Sequence, residues 1–204
     1  MNKAYKFRIY PNKEQQIVLS KTFGCVRFVY NKMLDDKIKH YETTKEKLNV
    51  TPAKYKNEFE WLKEVDSLAL ANAQLYLQTA YNNFFRDKEV GYPKFKSKRD
   101  NRQSYTTNCV NGNIKLLNGF LVMPKVKAVK IKQHRNIPKN YKLKSVTVSR
   151  NPSCKYYASI LIEYEQDIQL EEPKSFVGLD FSMGELFVSS DTSIANYPHY
   201  YRNA

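Results

Sequence analysis

The sequence predicts an α+β protein in which an N-terminal strand precedes a helical segment and then a small antiparallel β-barrel. Three observations carry this. Residues 3–10 alternate, with Tyr5, Phe7 and Ile9 apolar against Lys6 and Arg8, the period of a half-buried strand. Leu70, Ala73, Leu77, Ala80, Tyr81 and Phe84 fall on one stripe at helical spacing. From Ser104 onward the texture changes to short β-rich segments punctuated by Asn-Gly turns.

Taken in order, Pro11 ends the first strand. Asn12 with Gln15 three residues later makes a capping-box pattern, and a helix from about Lys13 to Phe23 sets Ile17, Leu19 and Phe23 toward a core. Gly24 interrupts that pattern, and Val26, Val29, Met33 and Leu34 resume it toward Tyr41, so the expectation is helix, turn, helix. The polar stretch from Thr43 to Asn57, containing Thr51-Pro52, reads as a loop or a short, weak helix. Ser67 is the expected N-cap of the strongest helix, whose remaining faces carry Asn72, Gln74, Gln78, Asn82 and Asn83. Uncharged amides are the side chains that read base edges, adenine above all, and they are also ordinary solvent-facing residues. Gly91-Tyr92-Pro93 stops this helix.

Six strands are expected next: Tyr105 to Cys109, Ile114 to Leu117, Phe120 to Met123, Val126 to Ile131, Lys144 to Ser149, and Tyr156 to Tyr164. Asn111-Gly112 and Asn118-Gly119 are hairpin-type turns, and Asn151-Pro152-Ser153 is another. Short strands with frequent turns suit an oligonucleotide-binding (OB)-type barrel, with a β-sandwich as the alternative. An acidic linker, Glu163, Glu165, Asp167, Glu171, Glu172 and Pro173, leads to a new unit. There Phe176 to Phe181 forms an apolar strand with one carboxylate, Asp180, and Leu186 to Ser190 returns after the turn Ser182-Met183-Gly184-Glu185. Two strands cannot bury a core of their own.

The composition narrows the function. With 204 residues, 42% of them hydrophobic, the chain can bury a core and is no disordered tail. Lys and Arg outnumber Asp and Glu by 34 to 20, and a formal charge of +14 implies a polyanionic partner. Between Asn101 and Ile162 there is no acidic residue, while Arg102, Lys115, Lys125, Lys127, Lys130, Lys132, Arg135, Lys139, Lys142, Lys144, Arg150 and Lys155 are all cationic. Phosphate binding along this segment is favoured over a merely solvated basic face. Lys94-Phe95-Lys96-Ser97-Lys98-Arg99 reads as a phosphate clamp at a domain junction. Tyr92, Phe95, Tyr105, Tyr141, Tyr156 and Tyr157, interleaved with cations, are candidates for base stacking as well as ordinary strand tyrosines.

Other chemistries lack their residues. Cys25, Cys109 and Cys154 are odd in number and far apart, with no C-x-x-C pair for zinc. His40, His134 and His199 are scattered, no serine sits on a nucleophile elbow, and six glycines supply no phosphate-cradling loop. No leader-type apolar segment opens the chain, and no run of about 18 apolar residues could span a bilayer, so a cytoplasmic, reduced protein is expected. Asp180, beside a glycine on an apolar strand before a hairpin, sits where RNase H-like nucleases present the first ligand of a Mg²⁺ pair. Two-metal hydrolysis needs several carboxylates around ions about 3.5–4 Å apart, and Asp180 is only one. Glu185 and Asp191 read as surface residues.

Four blocks together resemble a known family. Arg8-Ile9-Tyr10-Pro11 with Thr22-Phe23-Gly24-Cys25-Val26-Arg27-Phe28-Val29-Tyr30-Asn31 is similar to the N-terminal helix-turn-helix signature of TnpB (OrfB) proteins of bacterial insertion sequences. Gly91 to Ser97, Ser145 to Arg150 and Val177 to Met183 agree in order. The resemblance implies an RNA-guided DNA endonuclease related to type V CRISPR effectors, with guide RNA and DNA as partners. It divides the chain into a first strand (1–12), a helical recognition lobe (13–90), a wedge β-barrel (91–173) and the start of a RuvC-like nuclease domain (174–204). Lys94, Lys96, Lys98, Arg99, Lys125, Lys127, Lys130, Lys132 and Arg135 are then nucleic-acid contacts, and Gln74 and Gln78 lie where a target-adjacent motif could be read. Asp180 matches the first catalytic carboxylate, a Mg²⁺ ligand in the full-length family. The family's second and third carboxylates and its zinc ribbon fall beyond Ala204, so the expectation is a C-terminally truncated copy that binds without cleaving and holds no cofactor itself. A nuclease-dead DNA-binding repressor, or half of a nuclease completed by a second chain, are the alternatives. Nothing in the residues sets an oligomeric state.

Overall fold

The computed structural model describes residues 1–87, 89–99, 103–138, 141–165, 175–182, 184, 186–191 and 193. The chain divides into two compact units, Met1–Glu165 and Gln166–Ala204.

The first unit opens on strand β1, Asn2–Tyr10, with Phe7 and Ile9 buried as the alternation requires. Helix α1, Lys13–Thr44, then starts in a full capping box: Gln15 N–H donates to Asn12 Oδ1 at 2.8 Å and Asn12 N–H to Gln15 Oε1 at 3.0 Å. The expected turn at Gly24 is absent, and α1 runs through it unbroken. One helical glycine costs about 1 kcal/mol relative to alanine, while Leu19 and Phe23 before it and Val26, Val29 and Met33 after it are all buried on one continuous face. Burial of those side chains, each contributing about 1.5–3 kcal/mol, outweighs the glycine. The helix ends at Lys45 in the left-handed region (φ 61°).

The polar stretch that follows contains helix α2, Pro52–Glu58, with proline in its first turn, and a 3₁₀ turn at Glu60–Glu64. Helix α3, Ser67–Arg86, is capped by Asp66 rather than by Ser67. Its carboxylate accepts from the Leu68 N–H at 3.0 Å and from the Thr107 hydroxyl, so the same residue starts the helix and ties it to the sheet. Asn72, expected on a polar face, is buried and donates to the Leu68 carbonyl at 2.9 Å.

Six further strands complete an antiparallel sheet: β2 Gln103–Asn108, β3 Lys115–Leu117, β4 Phe120–Met123, β5 Lys127–Lys132, β6 Lys142–Arg150 and β7 Tyr156–Glu163. Their order is β2-β6-β7-β1-β5-β4-β3, which sets β1 in the middle. Asn118 and Gly119 take positive φ (47° and 79°), the type I′ geometry that closes the β3–β4 hairpin. The sheet curls around its apolar face, but among the described residues β2 and β3 form no ladder with each other, so the expected closed barrel is a half-barrel. The open side at β2 packs on helices instead. Phe23 meets Tyr105 at 5.7 Å between ring centroids, and the Tyr76 hydroxyl bonds to Thr106.

The described residues of the second unit form an antiparallel hairpin, β8 Leu179–Ser182 with β9 Leu186–Ser189, in register Leu179↔Ser189 and Phe181↔Phe187. Residues 166–174, with Asp167, Glu171 and Glu172 of the acidic linker, and Glu185, Arg102 and Lys139 lie outside the described residues.

Candidate nucleic-acid interface

The sheet's outer face is where the cations gather. Alternation buries Phe7 and Ile9 and turns Lys6, Arg8 and Tyr10 outward on β1; on β5 it buries Val129 and Ile131 and turns out Lys130 and Lys132. Register sets Arg8 directly opposite Lys132 and Tyr10 opposite Lys130. On the other side Arg8 faces Tyr157. Its guanidinium lies over the Tyr10 ring at 5.3 Å and the Tyr157 ring at 5.5 Å, and Lys6 lies over Tyr157 at 5.1 Å. Among the described residues, Arg8 Nε is buried with no hydrogen-bond partner. Among the described residues none of Lys6, Arg8, Lys130 and Lys132 is in an ion pair. Like charges opposed across a ladder repel, so this face combines unneutralised cations with ring faces, the mixture that binds a phosphate backbone and stacks bases.

Lys125, exposed in the β4–β5 turn, and Lys127, the exposed first residue of β5, both adopt left-handed backbone (φ 63° and 64°). Gln15 holds that turn: its Nε2 donates to the Ala128 carbonyl at 2.7 Å and to the Val126 carbonyl at 3.3 Å. Arg135 is exposed in the segment after β5, next to His134, whose ring meets Phe7 at 5.2 Å. Lys130, Lys132 and the turn lysines therefore belong to one strand and its approach. The sequence reading missed Lys6 and Arg8 because its basic segment began at Arg102. The missing signal is a pairing between residues far apart in the chain.

Lys94 to Arg99 runs as an exposed extended segment fastened to α1. The Asn31 side chain donates to the Lys96 carbonyl at 2.9 Å and accepts from the Lys96 N–H at 2.8 Å, a strand-like pairing made by an amide. The Lys96 ammonium lies over the Tyr30 ring at 4.3 Å and the Tyr76 ring at 5.7 Å. Lys96 thus sits on helix aromatics, while Lys94, Lys98 and Arg99 are exposed.

Gln74 and Gln78 line a cavity of about 150 Å³ with Met33, Lys37, Asn49, Val50 and Thr51. Asn49 and Thr51, read as loop residues, and Lys37 on α1 join the two glutamines. Burial lowers the Lys37 pKa, and its ammonium donates to the Leu48 carbonyl at 3.1 Å, fixing the loop against α1. Amide, hydroxyl and ammonium groups around a small opening can donate to and accept from base edges.

Asp180 is exposed on β8, opposite Val188. Among the described residues no cluster of three or more His, Cys, Asp or Glu is placed to hold a metal ion. One exposed carboxylate does not fit a two-metal centre. No described helix is long and apolar enough to cross a membrane.

Comparison with known proteins finds several that are similar to this chain. A family model described as a helix-turn-helix domain, of the OrfB type, matches residues 1–46. In this structure that stretch holds β1 and the single helix α1. Such domains define proteins of the insertion-sequence OrfB class. A Streptomyces pristinaespiralis protein named "Putative RNA-guided DNA endonuclease" is 32% identical over 98% of this chain and 51% of its own length. A second, named "Putative RNA-guided DNA endonuclease InsQ", from Escherichia coli (strain K12), is 30% identical over 94% of this chain and 48% of its own. Virulence protein VsdF of Salmonella dublin is 36% identical over 48% of this chain and 95% of its own. The chain belongs to the TnpB (OrfB) family, and it spans about half the length of the two endonuclease-named relatives. A cryo-EM structure of a Cas12f1–sgRNA–target DNA complex aligns over 97% of this chain and 55% of that one, at 13% identity and a TM-score of 0.38, too loose a superposition to transfer function.

Proposed function

We propose that this chain is the nucleic-acid-binding platform of a TnpB-type RNA-guided DNA endonuclease. Residues 13–90 act as its recognition lobe, and residues 1–12 with 91–173 as its wedge, holding guide RNA and DNA between them. The observation that carries this reading is the outer face of β1 and β5, where Arg8 opposes Lys132 and, among the described residues, no carboxylate pairs with either. A fold that sets like charges side by side is relieved by a polyanion, and counterion release supplies the affinity. Lys94, Lys98 and Arg99 extend the contact along the segment docked on α1, Lys127 carries it to the start of β5, and Lys125 and Arg135 extend it past the two ends of that strand. The cavity at Gln74 and Gln78 supplies base-edge contacts for a short motif in duplex DNA. Asp180 is the first carboxylate of a nuclease centre whose other ligands these residues do not supply, so the chain alone binds without cleaving.

The test is binding of the purified chain to structured RNA and to duplex DNA across a salt series, with Lys130→Ala, Lys132→Ala and Lys98→Ala beside wild type. Salt-steep binding is expected, each lost phosphate contact flattening the log–log slope by roughly 0.7–0.9. Gln74→Ala should reduce discrimination between DNA sequences while leaving that slope unchanged. A folded chain that binds neither nucleic acid at low salt would overturn the reading.

A further inference from the structure

We propose that the cavity between α1 and the 3₁₀ turn is a pocket for one unstacked guanine base. It encloses about 360 Å³ and is lined by Lys21, Gly24, Cys25, Trp61 and Glu64, a volume at the lower end of the roughly 300–1,000 Å³ range of ligand sites. The pocket gives the nucleic-acid platform a base-selective element and rests on that reading, but none of its residues belongs to the basic sheet face.

Its floor is the glycine that α1 passes through without breaking. A Cβ added at Gly24 would meet no atom within 4 Å, so the helix offers bare backbone to open space there. Trp61 forms the opposing surface. Phe28 holds its ring edge-on at 4.8 Å and Phe59 lies tilted against it at 6.0 Å, yet 43% of the residue remains exposed. An indole fixed by neighbours and open to solvent is a stacking platform whose orienting entropy is lost on folding rather than on binding. Cys25 closes one side as a neutral wall, its thiol pushed up to about 11 by burial and by the nearby Glu64 charge.

Glu64 sets the base. One of its oxygens accepts from the Lys21 ammonium at 2.5 Å, and the pair is about half exposed, at 54% and 53%. A carboxylate only accepts, so it selects a base edge that only donates. Guanine presents two adjacent donors, N1–H and the N2 amino group. Adenine sets an acceptor beside its amino group, and uracil flanks its single N–H with carbonyls, so each turns a lone pair toward the carboxylate. Lys21 offsets the carboxylate charge that would repel a phosphate. An apolar protein side chain filling the same space would strip water from the Lys21–Glu64 pair and return nothing.

Trp61 is the chain's single tryptophan, so its emission reports on this pocket. The full chain is titrated with guanosine, adenosine and uridine 5′-monophosphates, and separately with a labelled single strand followed by anisotropy. Saturable quenching is expected with the guanine nucleotide, at least about ten-fold tighter than with the other two, the scale of a lost bidentate base contact. Gly24→Leu, which fills the cavity from a helical position, should abolish the quenching with helix content retained. Glu64→Gln, which places an amide donor against guanine's donors, should remove the preference without removing the stacking. Lys130→Ala should leave the guanine titration unchanged while weakening strand binding. Equal, non-saturating quenching by all three nucleotides, or quenching indifferent to Gly24→Leu, would overturn the pocket even where the labelled strand binds. Saturable guanine quenching in a chain that shows no salt-dependent strand binding would uphold the pocket and overturn the platform.

Discussion

Gln15 makes three connections with one side chain. Its Oε1 closes the capping box at Asn12, and its Nε2 reaches the Val126 and Ala128 carbonyls beside Lys125 and Lys127. The two roles separate by substitution. Gln15→Glu keeps the capping acceptor but turns a carboxylate toward two carbonyls, whereas Gln15→Ala loses both. Both should lower the unfolding free energy read from denaturant titration by about 1–3 kcal/mol. A Gln15→Glu variant as stable as wild type would mean that the tie to the turn contributes nothing. Tyr55 is a second such case: fully buried, it donates its hydroxyl to Asp36 Oδ2 at 2.7 Å, and Lys32 reaches the other oxygen at 2.9 Å. Burial alone would raise the Asp36 pKa, but the bonds from Lys32 and Tyr55 outweigh it and hold the carboxyl below its ordinary 3.8. A group with a depressed folded pKa contributes stability above the unfolded value, and that contribution is lost as pH falls through the folded one. Stability should therefore decline below about pH 4, and Asp36→Asn should flatten that decline in thermal unfolding read across pH. Tyr55→Phe should cost about 1–3 kcal/mol at neutral pH by leaving the carboxylate short of a donor.

Among the elements, the strands were legible and the helix junctions were not. Period-two alternation and Asn118-Gly119 locate β3, β4 and β5 to within a residue or two, because both signals are local. Gly24 misleads for the opposite reason: its helix-breaking tendency is local, while the burial of Phe23 and Val26 that overrides it depends on partners elsewhere in the chain. This predicts that Gly24→Ala, with helical backbone and open space around it, raises the unfolding free energy read from denaturant titration by up to about 1 kcal/mol. No gain would mean that the helix is already strained or kinked at that residue. Ser67 was passed over as N-cap by Asp66 on similar grounds, since the Thr107 hydroxyl that anchors the Asp66 carboxylate comes from β2.

At the scale of the whole chain, the candidate interface was half legible. The run from Lys125 to Arg135 stood out by charge alone, and Gln74 and Gln78 by their place on the strongest helix. Lys6 and Arg8 did not, because nothing in sequence order says that β1 lies between β5 and β7. Asn49 and Thr51 were hidden in a stretch with no periodicity, and only packing against α1 and α3 brings them to the glutamines. Asp180 was legible as a strand carboxylate, and it stands exposed on β8.

The central place of β1 also shapes how this protein is made. Its partners are Lys130 to Lys132 on one side and Tyr156 to Glu163 on the other, and the Met1 ammonium donates to the Tyr164 carbonyl at 2.6 Å. On a translating ribosome β1 thus emerges well before either of its partner strands. Helices α1 and α3 can meet while β1 waits with both edges open, and no hairpin of local contacts can shelter it. Nascent chains arrested before Glu163 should leave Lys3 and Lys6 open to trypsin, and release of the β7 residues should close both sites together.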